Sequence, residues 1–274
     1  MILAVDFGGT TTKLGLVRDG SIVARSRLDS SADRPMADRL EAVACEWESL
    51  LKKNGSDLHH CEGVALSLPF LTDPTRSHVL GEFGKFPGAV DIDFDLWSRK
   101  RLRLPMVLEN DLRMALLGEW VAGAARGKRD VVMLAFGTGI GCAVISGGCL
   151  LRGANNRAAT LMGHSTIAHN GLTGRCGNIG CAEDLASTAT LAVLARARPE
   201  FPGSQLACMA KIDYESVFKL ADQGDVCSQA LRQQSLGIWA VVVQNAVLAY
   251  DPEVVVLGGA VMRRHEVILP AMEL

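Results

Sequence analysis

The sequence predicts an α/β protein built from two halves of similar design. Short β-rich runs separated by glycine-containing turns open the chain, at residues 2–5, 13–17 and 21–26. Two later apolar runs, residues 131–136 and 140–145, are joined by Gly137-Thr138-Gly139 and repeat that layout. We therefore expect an N-terminal α/β domain over residues 1–110 and a C-terminal α/β domain over residues 111–274.

The rest of the first half is predicted to be two helices and two strands, and the second helix ends at the basic residues 99–103 before Pro105. Apolar residues recur at helical spacing over residues 36–51, before Asn54-Gly55, which predicts a helix that covers the sheet. Residues 63–68 are typical of a buried strand, and residues 69–91 carry the prolines and glycines of loops. A further apolar run, residues 104–108, predicts a strand that ends at Glu109-Asn110-Asp111.

The rest of the second half is predicted to be mostly helical. A polar, glycine-rich segment covers residues 147–183 and includes a loop with histidine and cysteine at residues 163–183. Helices are expected over residues 185–198 and 214–223, followed by a mostly apolar helix over residues 226–250 that is too long for the surface. One more buried strand, residues 253–257, ends at Gly258-Gly259, and a last helix starts near residue 263.

Composition excludes several classes of partner. The 274 residues are 49% hydrophobic, enough for a sizeable core, and the formal net charge of −2 leaves no basic footprint for nucleic acid. No uncharged apolar run reaches the ~18 residues of a membrane span, and Asp6 comes too early for a signal peptide. We expect a cytoplasmic protein without a membrane partner. The eight cysteines are scattered, which favours buried thiols over a disulfide framework.

The predicted strand at residues 104–108 ends in a polar cluster. Ligands of open α/β sheets bind outside the carboxyl ends of the strands, which makes Asp111 a candidate for a working group. The alternative is that Asn110 or Asp111 simply caps the N-terminus of the following helix. This stretch alone favours neither interpretation.

The turn after the first strand has the composition of a phosphate clamp. It joins two strands, which excludes a Walker A loop or a Rossmann turn because both of those open a helix. Gly8 and Gly9 allow backbone N–H groups to approach phosphate oxygens, Thr10 adds a hydroxyl and Lys13 adds charge. Asp6 is positioned to hold a hydrated Mg²⁺. The alternative is an ordinary hairpin turn.

Two further glycine turns bear on that choice. The Gly137-Thr138-Gly139 turn stands in an equivalent setting between two strands, so the two turns together predict a bound nucleotide. Gly258-Gly259 leaves a buried strand and gives room for a nucleoside against the backbone, although it also fits an ordinary strand-to-helix turn.

Together these motifs resemble the ROK family (repressor, open reading frame, kinase), in particular its glucokinase-like and N-acetylmannosamine kinase-like sugar kinases. The likeness covers residues 3–269 and implies the actin-like ATPase (ribonuclease H-like) fold, with two α/β domains around a nucleotide cleft. It implies ATP-dependent phosphorylation of a hexose or N-acylhexosamine hydroxyl, with Mg²⁺ as cofactor. Asp111 would be the general base and Asn110 a sugar ligand. The loops at Gly8 and Gly137 would hold the ATP phosphates, with adenosine near Gly258 and Gly259.

Chemistry supports the role of Asp111 independently of the family. A hydroxyl that attacks a phosphoryl group must lose its proton, and a positioned carboxylate accepts that proton late in a loose transition state. Asp111 could be a helix cap or a catalytic acid, and the phosphate turns elsewhere in the chain favour the catalytic acid.

The loop at residues 163–183 resembles the ROK signature segment, which holds a structural zinc with one histidine and three cysteines. His164, Cys176 and Cys181 match, but Gly174 stands where the first cysteine belongs. Closed structural zinc sites use four ligands. Zinc therefore binds with a substitute such as His169, binds with a water in the fourth position, or has been lost.

The predicted sugar site also departs from the family pattern. Family kinases carry a glutamate where this chain has Leu161, and leucine offers no hydrogen bond to a ring hydroxyl. The resemblance keeps His164 and Glu183 as sugar ligands. We expect a preferred sugar other than plain glucose, such as an N-acylated hexose; weak sugar binding or a degenerate enzyme would look the same.

Two other functions stay open at this point. A non-catalytic sugar sensor would explain the losses at Leu161 and Gly174, but it need not retain the ATP motifs. A different actin-like phosphotransferase would act on no sugar. The family resemblance further implies a homodimer.

Overall fold

Two β-sheets organise the part of the chain that the computed structural model describes, residues 1–82, 84–171 and 173–272. The contacts group the chain into two units. The first unit comprises Met1–Ala115 with Arg152–Arg157, and the second comprises Leu116–Leu151 with Ala158–Leu274. The domain boundary expected between residues 110 and 111 stays a prediction.

The first unit holds a five-stranded sheet in the order β3-β2-β1-β4-β5. β1 is antiparallel to β2 and parallel to β4, and β4 is parallel to β5. Its strands are β1 Ile2–Phe7, β2 Thr11–Arg18, β3 Ser21–Asp29, β4 Gly63–Leu68 and β5 Met106–Asn110. The β2–β3 turn has Asp19 and Gly20 at φ of 50° and 72°, the left-handed pair that a tight hairpin needs.

The first unit also contains the predicted helix, α1 Met36–Lys53, and then α2 Phe94–Arg101. A buried apolar stripe of α1 faces the sheet, and the indole N–H of Trp47 donates to the Ala4 carbonyl at 3.3 Å. α3 Asp111–Ala122 starts directly after β5. The prediction that the helix over residues 36–51 covers the sheet is confirmed by α1.

The second unit holds a four-stranded sheet in the order β8-β7-β6-β9, with β6 antiparallel to β7 and parallel to β9. The strands are β6 Val131–Phe136, β7 Ile140–Ser146, β8 Cys149–Leu150 and β9 Val254–Gly258. The helices are α4 Ala182–Ala186, α5 Thr188–Arg196, α6 Tyr214–Asp222, α7 Val226–Tyr250 and α8 His265–Met272. A short 3₁₀ segment, Ala260–Arg264, precedes α8 where the last helix was expected to start.

The prediction of a single helix over residues 185–198 was wrong. Ser187 has an extended conformation and separates α4 from α5. Backbone groups on either side of Ser187 have partners outside the helix. The Ala186 carbonyl accepts from the indole of Trp239 at 2.9 Å, and the Thr188 N–H donates to the Gly137 carbonyl at 2.9 Å. These contacts replace the helical hydrogen bonds that periodicity alone would predict.

The long helix α7 has the predicted bounds, but the expectation that it is too long to lie at the surface was wrong. One face packs in the core through Leu231, Trp239 and Val242. Apolar side chains also point outward, and Leu248 is 77% exposed. Among the helices of the described residues, none is long and apolar enough to cross a membrane.

Candidate functional site

The parallel strands of the first unit bring three polar side chains to one edge of the sheet. Asp6 pairs in register with Ser67, and Leu68 pairs with Asn110, so the carboxyl ends of β1, β4 and β5 lie side by side. The Ser67 hydroxyl donates to Asp6 Oδ1 at 3.0 Å. Asp111 follows Asn110 directly, and the Asp6 carboxylate acts on it electrostatically. Ligand-binding groups are expected at such an edge.

The Asp111 carboxylate is held by its own chain. Its Oδ1 accepts from the Leu112 N–H at 2.8 Å and from Asn110 Nδ2 at 3.0 Å. Although the residue is solvent-accessible, desolvation raises the pKa of Asp111. The Asp6 carboxylate raises it further, while the Leu112 N–H, the Lys85 ammonium and the Asn110 amide act against the shift. A raised pKa suits a group that must accept a proton.

Asn110 acts as the helix cap that the sequence offered as an alternative. Its Oδ1 accepts from the N–H groups of Leu112 at 3.1 Å and Arg113 at 3.3 Å. Its Nδ2 donates to the Phe70 carbonyl at 3.2 Å as well as to Asp111. Cap and candidate base are therefore neighbouring residues, and the cap orients the base.

A buried ion network adjoins this cap, and sequence reasoning missed it. Glu109 and Arg113 are each 1% exposed, with Arg113 Nη1 3.5 Å from Glu109 Oε1. Arg152 also donates to Glu109, and Arg113 donates to Asn156 Oδ1 at 2.7 Å. The Asn110 N–H donates to Glu109 Oε1 at 3.0 Å, which ties the network to the strand end. Arg152 lies 43 residues from Glu109 in the chain, so no local motif announces the pair.

The first glycine turn is tightly built. A Cβ on Gly8 would lie 2.8 Å from the Thr11 carbonyl oxygen, so a side chain would force the turn open. Ser30, which the sequence did not single out, donates from its hydroxyl to the Gly8 carbonyl and from its N–H to the Thr10 carbonyl at 3.1 Å. Lys13 Nζ lies 3.4 Å from Asp6 Oδ2.

A second cation near this turn, Lys85, was not predicted. Its Nζ lies 3.5 Å from the position that a Cβ on Gly9 would occupy, and its charge also acts on Asp111. Lys85 belongs to the irregular segment over residues 69–91, where no periodic pattern marks a functional side chain.

The other two glycine turns meet at one edge of the second sheet, because β6 and β9 run parallel with Ala135 opposite Gly258. The Gly137 N–H donates to the Gly139 carbonyl at 3.0 Å, and a Cβ on Gly137 would lie 4.0 Å from the Ala260 nitrogen. Gly259 has φ of 93°, and a Cβ there would lie 2.1 Å from the Phe136 carbonyl oxygen. Only glycine fits at that position.

The Glu183 side chain packs against the Gly137-Thr138-Gly139 turn. Its Oε2 accepts from the Ile140 N–H at 2.8 Å and lies 2.4 Å from where a Cβ on Gly139 would stand. A carboxylate therefore lies directly on one of the predicted phosphate turns. Its role as a sugar ligand stays a prediction.

The loop at residues 163–183 brings together the three retained metal-ligand candidates. The donor atoms of His164, Cys176 and Cys181 all lie within 4.8 Å of one another, and the two sulfurs are 3.4 Å apart. Burial, and then the neighbouring Cys176 thiol, raise the pKa of Cys181 to about 12. His164 Nδ1 is buried without a hydrogen-bond partner in the described residues. A metal ion would supply that partner.

Comparisons with known proteins identify the family of the chain. The family model described as ROK family matches residues 2–273. The chain belongs to the ROK family. The glucokinase of Thermotoga maritima is 31% identical to it, over 97% of this chain and 84% of that protein.

Solved ROK structures share the fold. The ROK hexokinase from Thermus thermophilus is 28% identical, with a TM-score of 0.81 over 99% of this chain and 87% of that one. The ROK family glucokinase from Streptomyces griseus, solved in complex with glucose and AMPPNP, is 27% identical, with a TM-score of 0.72 over 99% and 86%. The predicted actin-like ATPase fold is confirmed.

Two positions distinguish this chain from the ROK pattern. Leu161 is 42% exposed, an apolar side chain in the place of the family glutamate. At Gly174, the Asp184 carboxylate occupies the space of the missing cysteine, since its Oδ2 lies 1.7 Å from where a Cβ would stand.

Proposed function

We propose that the protein is an ATP-dependent sugar kinase that phosphorylates a hydroxyl of a hexose or an N-acylhexosamine, with Asp111 as the general base. One observation carries the proposal. Asp111 lies at the carboxyl ends of parallel strands, beside Asp6 and the first glycine turn, with an oriented carboxylate of raised pKa. The glucokinase and hexokinase similar to this chain support the same reaction class.

The base acts through the oxygen that its own chain leaves accessible. In the described residues, both hydrogen bonds to Asp111 reach Oδ1, which fixes the carboxylate and leaves Oδ2 to face the sugar hydroxyl. The proton moves to Oδ2 as the hydroxyl oxygen bonds to the γ-phosphorus and the bond from that phosphorus to ADP breaks. Positioning of the hydroxyl supplies much of the remaining rate.

The phosphates of ATP would be bound by the glycine turns. Gly8, Gly9 and Thr10 offer backbone N–H groups, with Lys13 and Lys85 as nearby cations. The Gly137-Thr138-Gly139 turn would hold phosphate in the second unit, and Gly258 and Gly259 would lie near adenosine. Asp6 has the chemistry to hold a hydrated Mg²⁺, which neutralises phosphate charge when bound.

The sugar would be bound by Asn110, His164 and Glu183. Leu161 gives the site an apolar side chain in place of a hydrogen-bond acceptor. A site of this kind favours a sugar with an acyl or other apolar substituent over plain glucose. Leu161→Glu is therefore expected to lower KM for unmodified glucose relative to the N-acylated hexose.

Two further features complete the proposal. The loop with His164, Cys176 and Cys181 would hold a structural zinc, which is favoured by a buried His164 Nδ1 that has no hydrogen-bond partner among the described residues. The protein would form a homodimer, which light scattering at working concentration tests.

The deciding experiment is a screen for ADP formation over hexoses, N-acetylhexosamines and ketoses. Each reaction contains ATP and Mg²⁺, and Asp111→Asn serves as the blank. Turnover that depends on one sugar class and disappears in the blank supports the kinase. Sugar binding without turnover identifies a sensor, and ATP turnover independent of sugar identifies another phosphotransferase.

A further inference from the structure

The ROK signature loop of this chain lacks one cysteine, and the structure shows what fills its place. A Cβ built on Gly174 would lie 1.7 Å from Asp184 Oδ2 and 2.7 Å from Asp184 Cγ. The carboxylate therefore stands where the side chain of a cysteine at residue 174 would stand. A cysteine there and the observed position of Asp184 exclude each other.

Within the described part of the chain, the same oxygen is a buried polar atom without a hydrogen-bond partner. Asp184 Oδ2 makes no hydrogen bond to any described residue, as is also true of His164 Nδ1. A buried oxygen left without a hydrogen bond is costly, more so when it is charged, so such atoms mark places where a ligand or ion belongs. Two of them occur beside a single pair of cysteine thiols.

The donor chemistry fits zinc. His164, Cys176 and Cys181 supply one nitrogen and two sulfurs, and a carboxylate oxygen is an accepted fourth zinc ligand. The sulfur separation of 3.4 Å is close to the roughly 3.8 Å expected for two thiolates on a tetrahedral zinc ion. Asp184 is also among the groups that raise the pKa of the Cys181 thiol, so its carboxylate lies near that ligand.

We propose that Asp184 is the fourth zinc ligand, in place of the cysteine that Gly174 replaces. The inference rests on the zinc site of the proposed function. Asp184 lies next to Gly174 and outside the group of three donors that are within 4.8 Å of one another, and rotation about its side-chain bonds would carry the carboxylate toward them. This role of Asp184 would also explain why residue 174 is glycine, because any side chain there would displace the carboxylate.

The test measures zinc affinity of the full chain by competition with a chromophoric chelator, and the spectrum of the cobalt(II)-substituted protein. Wild type is expected to bind one zinc ion and to give tetrahedral cobalt bands with thiolate charge transfer. Asp184→Ala and the closer mimic Asp184→Asn should bind zinc at least about 10- to 100-fold more weakly, the loss known for supporting residues alone. Gly174→Cys with Asp184→Ala should restore the affinity.

His169→Ala is the matched control, because His169 is the other candidate for the fourth ligand. It should leave affinity and spectrum unchanged. Wild-type affinity in both Asp184 variants, or loss of zinc in His169→Ala alone, would overturn the assignment. A wild type that binds no zinc would overturn the zinc site with it, and sugar-dependent ADP formation would then still report on the kinase separately. Circular dichroism establishes that each variant is folded.

Discussion

Replacing Asp111 with asparagine separates its chemical role from its structural role. Asparagine retains an Oδ1, so it can still accept from the Leu112 N–H and the Asn110 amide, now at 2.8 Å and 3.0 Å. It cannot take a proton at the other position. The exposed location adds little packing to lose, so stability near neutral pH should change by less than about 0.5 kcal/mol.

The catalytic loss should be much larger than the change in stability. Removal of a general base typically costs on the order of 10²- to 10⁴-fold in rate. At about 1.36 kcal/mol per factor of ten, this equals about 2.7 to 5.4 kcal/mol of transition-state stabilisation. Because the hydrogen bonds to Oδ1 survive, the loss should fall on kcat, with KM for the sugar little changed.

The pH profile gives a second readout of the same residue. The base works when ionised, and desolvation followed by Asp6 raises the pKa of Asp111 above its ordinary value of 3.8. The acid limb of kcat/KM should therefore lie at higher pH than for an ordinary aspartate, with activity falling as the pH drops through that limb. Asp111→Asn should lack it.

The assay is ADP formation with the sugar that the screen identifies, between pH 4 and 8, with denaturant unfolding of both proteins alongside. A kcat within threefold of wild type, at equal stability, would remove Asp111 from the mechanism. An unfolded variant would instead show that the carboxylate is needed for the fold.

Three further predictions concern residues around the two sheet edges. Lys85→Met should move the acid limb of kcat/KM to higher pH, because the Lys85 ammonium lowers the pKa of Asp111; an unmoved limb would contradict this. Arg113→Met, which breaks a buried ion pair, should lower the free energy of unfolding by about 3–5 kcal/mol in urea titrations, and a loss below 1 kcal/mol would argue against the network. Gly259→Ala should destabilise by at least about 1–3 kcal/mol and raise KM for ATP. Its matched control, Gly237→Ala in the open middle of α7, should be neutral or stabilising.

Much of the fold was predictable because the relevant signals are local. The bounds of β4 and β6 match the predicted runs, since a short buried strand is one apolar run between turn residues. The break at Ser187 was not predictable, because it depends on partners such as Trp239, far along the chain. Periodicity also overestimated how much of α7 is buried: it gives the composition of a helix but not which neighbours cover it.

The residues of the candidate site also fall into those that the sequence predicts and those that only the structure shows. The glycine turns and Asp111 have sequence signals, since strand ends and conformational demands are local. Lys85 and Ser30 reach the first turn from irregular or neighbouring segments, and nothing in their own surroundings marks them. The sequence alone indicated that Gly174 replaces a zinc-binding cysteine. The proximity of the Asp184 carboxylate to Gly174 is seen only in the folded structure.

Two carboxylates, two residues apart, illustrate how environment assigns roles. Glu109 is buried and faces Arg113 and Arg152, so its charge is balanced and its oxygens are occupied. Asp111 is accessible, and desolvation followed by the like charge of Asp6 raises its pKa, so protonation of Asp111 is favoured. The ion pairs of Glu109 fit a structural role, whereas the environment of Asp111 fits proton transfer. Of these two carboxylates, Asp111 is therefore the one that we propose as the base.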